Sequence, residues 1–107
     1  MEEQENSFPT PGEIQILNSC GIPKVAGQLR TLLIAQGFDV VEVGNDNYWN
    51  YEETLVALRN PHWPGAKKLA KILKTDNIIP LENPLKMVDA TIYVGKDIHK
   101  VLDYDKR

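Results

Sequence analysis

A chain of 107 residues, 25% charged and 42% hydrophobic, is one domain with room for a single modest core. Its net charge of −3 and pI near 5.3 exclude a nucleic-acid binder held by a general positive field. No apolar run is long enough to span a bilayer, and a single cysteine, Cys20, excludes an internal disulfide.

Residues 1–12 are polar and acidic, carry Pro9 and Pro11, and have only Phe8 to bury, so they read as a flexible linker or tail. Glu2, Glu3 and Glu5 give the wrong charge for a signal peptide. A cytoplasmic protein and a trimmed piece of a longer one both fit. Ile14, Ile16 and Leu17 then form a short apolar strand, and Asn18, Ser19, Cys20 and Gly21 a tight turn. Pro23 suits the start of a helix, where its missing N–H costs nothing. Val25, Leu29, Leu32 and Leu33 recur at the spacing of one buried helical face. Gly37 stops the helix, and residues 38–43 read as a second, almost wholly apolar strand. This is a strand–helix–strand unit whose strands are parallel neighbours through a right-handed crossover.

Residues 44–50 are a turn-rich loop with two aromatics, and residues 54–59 a strand with a short helix as the alternative. The run from Asn60 through Pro61, His62, Trp63, Pro64 and Gly65 is a hard break. A second amphipathic helix follows, with Ala66, Leu69, Ala70 and Leu73 inward and Lys67, Lys68, Lys71 and Lys74 outward. Residues 77–81 make a short strand that Pro80 confines to an edge. Residues 85–88 read as a loop or a turn of helix, and residues 90–94 as the last strand, closed by Gly95, Lys96 and Asp97. Residues 99–107 are a charged tail. The alternation predicts an α/β fold, with α+β as the variant: a two- or three-layer sandwich of two helices and a mixed sheet of four or five strands.

The order Ile14 to Asn18, Gly21, Ala26, Leu29, Gly37-Phe38, Val43-Gly44-Asn45, Thr54, Arg59, Ala66, Leu69-Ala70, Leu73, Asp89-Ala90 and Gly95-Lys96-Asp97 resembles the LytR/CpsA/Psr C-terminal domain family. The resemblance covers residues 13–98. Ser19 and Lys24 depart from it, because both stand where the family usually has glycine. The resemblance implies an extracytoplasmic module of a bacterial envelope protein, placed behind a membrane anchor upstream, either alone or after a domain that transfers glycopolymers to the wall. The arginines and aspartates that such a domain uses on a pyrophosphate lipid have no counterpart in this sequence. The resemblance implies no chemistry for the module itself and no cofactor.

Two sets of residues are candidates for contact. The turn of Asn18, Ser19 and Gly21, with Lys24 beside it, offers backbone N–H groups and the positive end of a helix to an anion. It has neither the Gly-x-Gly-x-x-Gly nor the Walker A spacing, and turn chemistry alone also accounts for these residues. Tyr48, Trp49 and Tyr51 in one loop, with His62 and Trp63 in another, would form a platform for a sugar ring or an apolar partner if the loops converge. The alternative is a satellite core, with Trp63 stapling the second helix. Cys20 as a nucleophile would need His62 or His99 beside it, and the spacing supplies neither. One cysteine and two histidines lack any metal-site spacing, and the carboxylates of Asp97, Asp103 and Asp105 lack a Ca²⁺ loop. The lysines of the second helix, beside Arg59 in sequence, would suit anionic polymers or headgroups, or be simply solvated.

The expectation is therefore a non-catalytic accessory or binding domain that contacts wall glycan or an envelope protein. An enzyme or anion binder at the turn of residues 18–21, and a purely structural spacer, are the alternatives. No nucleic acid, metal or cofactor is expected. Oligomeric state is not set by the sequence, and a cytoplasmic location stays open beside the extracytoplasmic one.

Overall fold

The computed structural model describes residues 12–82 and 88–102. The expected tail before Gly12, most of the expected loop at 85–88, and the charged residues beyond Leu102 lie outside them. Among the described residues five strands and two α-helices follow in chain order: β1 (Glu13–Asn18), α1 (Val25–Ala35), β2 (Asp39–Asn45), β3 (Leu55–Leu58), α2 (Ala66–Leu73), β4 (Ile78–Pro80) and β5 (Ala90–Val94). A 3₁₀ helix, Lys96–Lys100, closes the described chain, with Leu102 buried behind it. The fold is α/β.

The strands form one mixed sheet in the order β2-β1-β5-β3-β4. β1 lies parallel to both β2 and β5; β3 runs antiparallel to β5 and parallel to β4. β4 is an edge, as Pro80 requires. Strand alternation decides what each face carries. Ile14 and Ile16 of β1, Val56 and Leu58 of β3, and Ala90, Ile92 and Val94 of β5 fall on one face. They join a single core with Val25, Leu29 and Leu33 of α1 and Leu69 and Leu73 of α2. Both helices therefore cover the same face, and the described residues form two layers, one of helices and one sheet. Complete burial of each Leu or Ile contributes about 1.5–3 kcal/mol.

Several details differ from the sequence expectation. Helix α1 begins at Val25, because Lys24 takes the left-handed conformation at φ 71° and Pro23 belongs to the turn before it. Leu32, placed on the inner face by its spacing, is only partly buried, as are Ala66 and Ala70 of α2. β2 is apolar in composition but lies at an edge, so Val41 and Val43 stay exposed. Arg59 does not extend the lysine stripe of α2. It lies on the opposite face of the sheet, where its guanidinium donates to Thr91 Oγ1 at 3.2 Å.

The end of the sheet at the start of β1 is sealed by Trp63. Its ring meets Phe38 edge-on at 5.9 Å, and Lys68 Nζ sits 5.4 Å over the Phe38 ring. A side chain at position 12 would overlap the indole, so the bare backbone of Gly12 is what lets Trp63 close down to 4% exposure. Its indole nitrogen is buried without a hydrogen-bond partner, a cost the packing of the ring offsets.

Two outcomes test this description. Leu29→Ala, which empties a site with no solvent exposure, lowers stability by about 2–5 kcal/mol in chemical denaturation; an unaltered midpoint would mean that α1 does not bury this face. Lys24→Gly, at a left-handed position that costs a side chain about 1–2 kcal/mol, raises stability by a part of that. A lowered midpoint would show the turn to be unstrained.

Candidate functional site

The C-terminal ends of β1, β2 and β5 meet the loop that carries Tyr48, Trp49 and Tyr51. The turn after β1 is organised by Asn18. Its Oδ1 accepts from the backbone N–H of Cys20 and of Gly21, both at 3.1 Å, and its Nδ2 donates to the Ile22 carbonyl at 2.7 Å. Ser19 is fully buried; its hydroxyl donates to Asp46 Oδ2 at 2.8 Å and its N–H to the Val94 carbonyl. Gly21 holds φ 77°, where a glycine is at ease. The amides that an anion would need at Cys20 and Gly21 are thus already taken by Asn18. Lys24 is exposed beyond them.

Trp49 stands over this turn. Its Cβ lies 3.7 Å from where a side chain on Gly21 would begin, and its indole N–H donates to the Asp46 carbonyl at 2.6 Å. The ring is therefore held, yet it is 61% exposed. Asn18, Gly21, Pro23, Asn45 and Trp49 line a shallow cleft of about 180 Å³. The candidate turn and the candidate aromatic loop, two separate features in the sequence, form this one concavity.

The other aromatic loop does not join it. Trp63 packs against Gly12 before β1, whereas Trp49 packs beyond its end, a separation of about 20 Å along a six-residue strand. Trp63 belongs to the main core rather than to a satellite under the loops, and His62, exposed beside it, is likewise remote from Trp49. Tyr51 instead turns toward the sheet: it stacks on Tyr93 at 5.8 Å and meets Tyr48 edge-on at 5.5 Å. Tyr93 accepts at its hydroxyl from Arg59, 2.9 Å away. Arg59 is 9% exposed, also donates to the Leu81 carbonyl, and has no carboxylate partner among the described residues. Among the described residues Cys20 hydrogen-bonds one polar side chain, Asn18, at 3.4 Å to its Oδ1, and no histidine. Among the described residues no group of three or more His, Cys, Asp or Glu could hold a metal ion.

Sequence reasoning missed Asp46 and Tyr93, had Asn45 only within the family resemblance, and set Arg59 beside the lysines of α2 rather than against Tyr93. Period-two alternation within β5 would have separated Thr91 and Tyr93 from Ala90, Ile92 and Val94, and so found the face turned away from the helices. Asp97 had been expected to close the turn after β5. Its Oδ1 accepts from the N–H and the hydroxyl of Thr54, at 2.9 and 2.8 Å, and so ties the end of the aromatic loop to β5. Thr54 Oγ1 in turn accepts from Gly95 N–H at 3.0 Å, and a side chain on Gly95 would overlap the backbone of Glu53 and Thr54.

The Tyr51 phenol is held above its ordinary value of 10.0, first by burial, then by the Asp46 carboxylate, and then by Tyr93 and Tyr48. Above pH 10 the unfolded chain therefore loses this proton before the folded one does, so the stability it contributes is complete below that pH and is lost as pH rises through the folded value. Tyr51→Phe flattens this alkaline loss in denaturation measured across that range, while an unchanged slope would place the loss elsewhere.

Among the described residues no helix is long and apolar enough to cross a membrane. Neither the curated proteins nor the solved structures yield a match. A family model does: the one described as LytR cell envelope-related transcriptional attenuator matches residues 13–97, from the start of β1 into the Gly95-x-Asp97 clasp. The chain belongs to that cell-envelope family, as an α/β accessory domain of the LytR C-terminal type.

Proposed function

We propose that this domain is a non-catalytic binding module on the outer side of the bacterial cytoplasmic membrane, and that the Trp49 cleft takes a sugar ring of wall glycan. The observation that carries this reading is the indole itself. It is exposed, locked by its N–H to Asp46, and set beside the amide of Asn45 and the backbone of Gly21. An immobilised aromatic loses little entropy when a sugar stacks on it, and a neighbouring amide supplies hydrogen bonds to hydroxyl groups. Membership of an envelope family supports wall material as the class of ligand.

An envelope protein using the same ring as an apolar anchor is the second reading, favoured by the exposed Tyr48 beside it. An anion held at the turn of Asn18, Ser19, Gly21 and Lys24, or an enzyme built there, has less support, since Asn18 occupies the turn amides and Cys20 has no base at hand. A pure spacer would leave no reason for an exposed, pinned tryptophan.

Trp49→Ala lowers retention on purified wall fragments about tenfold, the equivalent of about 1.4 kcal/mol, without moving the denaturation midpoint. Trp63→Ala does the reverse, costing about 3–5 kcal/mol of stability. Retention that is unchanged in Trp49→Ala would overturn the glycan reading.

A further inference from the structure

The two edges of the sheet are unlike. β4 ends one side with three residues, the last of them Pro80, which has no N–H to offer. β2 ends the other with seven residues, and contains neither proline nor a cation. Among the described residues only β1 pairs with it. Because Asp46 N–H donates to the Asn18 carbonyl, alternation along the strand points the amides of Val43 and Asn45 away from β1, toward solvent. Val41 and Val43 are 49% and 40% exposed there.

Register sorts this edge by chemistry. Val40 pairs with Ile14 and Val43 with Ile16, so both lie on the helix-covered face. Asp39 pairs with Glu13 and Glu42 with Gln15, so both acids lie on the open face. An odd spacing such as 40 to 43 would ordinarily divide the valines between faces; the bulge at Val41 brings them together. The free edge thus offers apolar contact on one side and negative charge on the other.

We propose that β2 is a docking edge for an extended segment of a partner protein, added as a further strand, with apolar residues beside Val43 and Lys or Arg beside Glu42. Main-chain hydrogen bonds to Val43 and Asn45 supply the attraction, and the two-sided pattern supplies selectivity. A second copy of this chain is disfavoured as the occupant, because both strands would bring the same two acids, Asp39 and Glu42, and no cation to the new pair. The edge meets the Trp49 cleft only at Asn45, so a Trp49→Ala variant that loses glycan retention still reports strand docking through the Val43 amide.

The test titrates the domain with a synthetic peptide of about eight residues alternating Val and Lys, and follows amide hydrogen exchange by NMR. Exchange at Val43 and Asn45 slows on addition. The Val/Glu peptide binds about two- to fivefold more weakly per opposed pair, and Glu42→Lys reverses that preference. Methylating the peptide backbone at its alternate nitrogens abolishes the protection. Equal binding by the methylated peptide, no protection at Val43 and Asn45, or protection that instead grows with protein concentration alone would each overturn the proposal.

Discussion

An apolar core built against one face of one sheet is the constraint from which the rest of this molecule follows. Two helices suffice to cover Ile14, Ile16, Val56, Ala90, Ile92 and Val94, and among the described residues no further α-helix lies on the other face. The opposite face is accordingly not a second hydrophobic core. It holds a polar chain in which Arg59 donates to Thr91 and Tyr93, and Thr91 donates to Gln15 Oε1 at 2.9 Å. A buried guanidinium is tolerable there because three of its nitrogens have oxygen acceptors, which is the condition for keeping a charge out of water.

One-sided burial leaves the loops at the C-terminal end of β1 with few apolar contacts, and polar clasps take over their positioning. Asn18 ties the turn to itself, Ser19 ties it to Asp46, and Asp46 holds the Trp49 indole. Asp97 fixes the other end of the same loop through Thr54. Each bond is worth on the order of 1 kcal/mol, and somewhat more where a carboxylate accepts. Together they hold a large ring in water without burying it. The Gly-x-Asp pair, short and unremarkable as a motif, is needed because Gly95 admits the Glu53–Thr54 backbone and Asp97 then grips it.

What was legible in the residues was what period and punctuation report. Leu29 and Leu33 announced the inner face of α1, Gly37 its end, and Pro80 the edge position of β4, because these effects are local. The neighbours of a given strand were not legible. The run at β2 looks buried in the sequence, yet strand order puts it at the rim, and order is decided by contacts between distant segments such as β1 with β5. The same non-local pairing explains the aromatics. Trp49 and Trp63 are equivalent as letters, but one is 61% exposed and the other 4%, because the Trp63 ring closes over bare Gly12 and packs edge-on against Phe38. Lys24 illustrates the converse: a side chain stands where the resemblance led one to expect glycine, and φ 71° shows why glycine suits the position.

Asn45 is the point where these strands of reasoning meet. It is the last residue of β2, so its amide belongs to the open edge, and its side chain lines the Trp49 cleft. The pairing of Asn18 with Asn45 places the organised turn directly beside it. An occupant of the cleft and a strand along β2 would therefore touch one residue from opposite sides, and any shift of Asn45 produced by one would be felt by the other with the same free energy in both directions. The geometry needs no long pathway for this, since the two surfaces share an end of one strand.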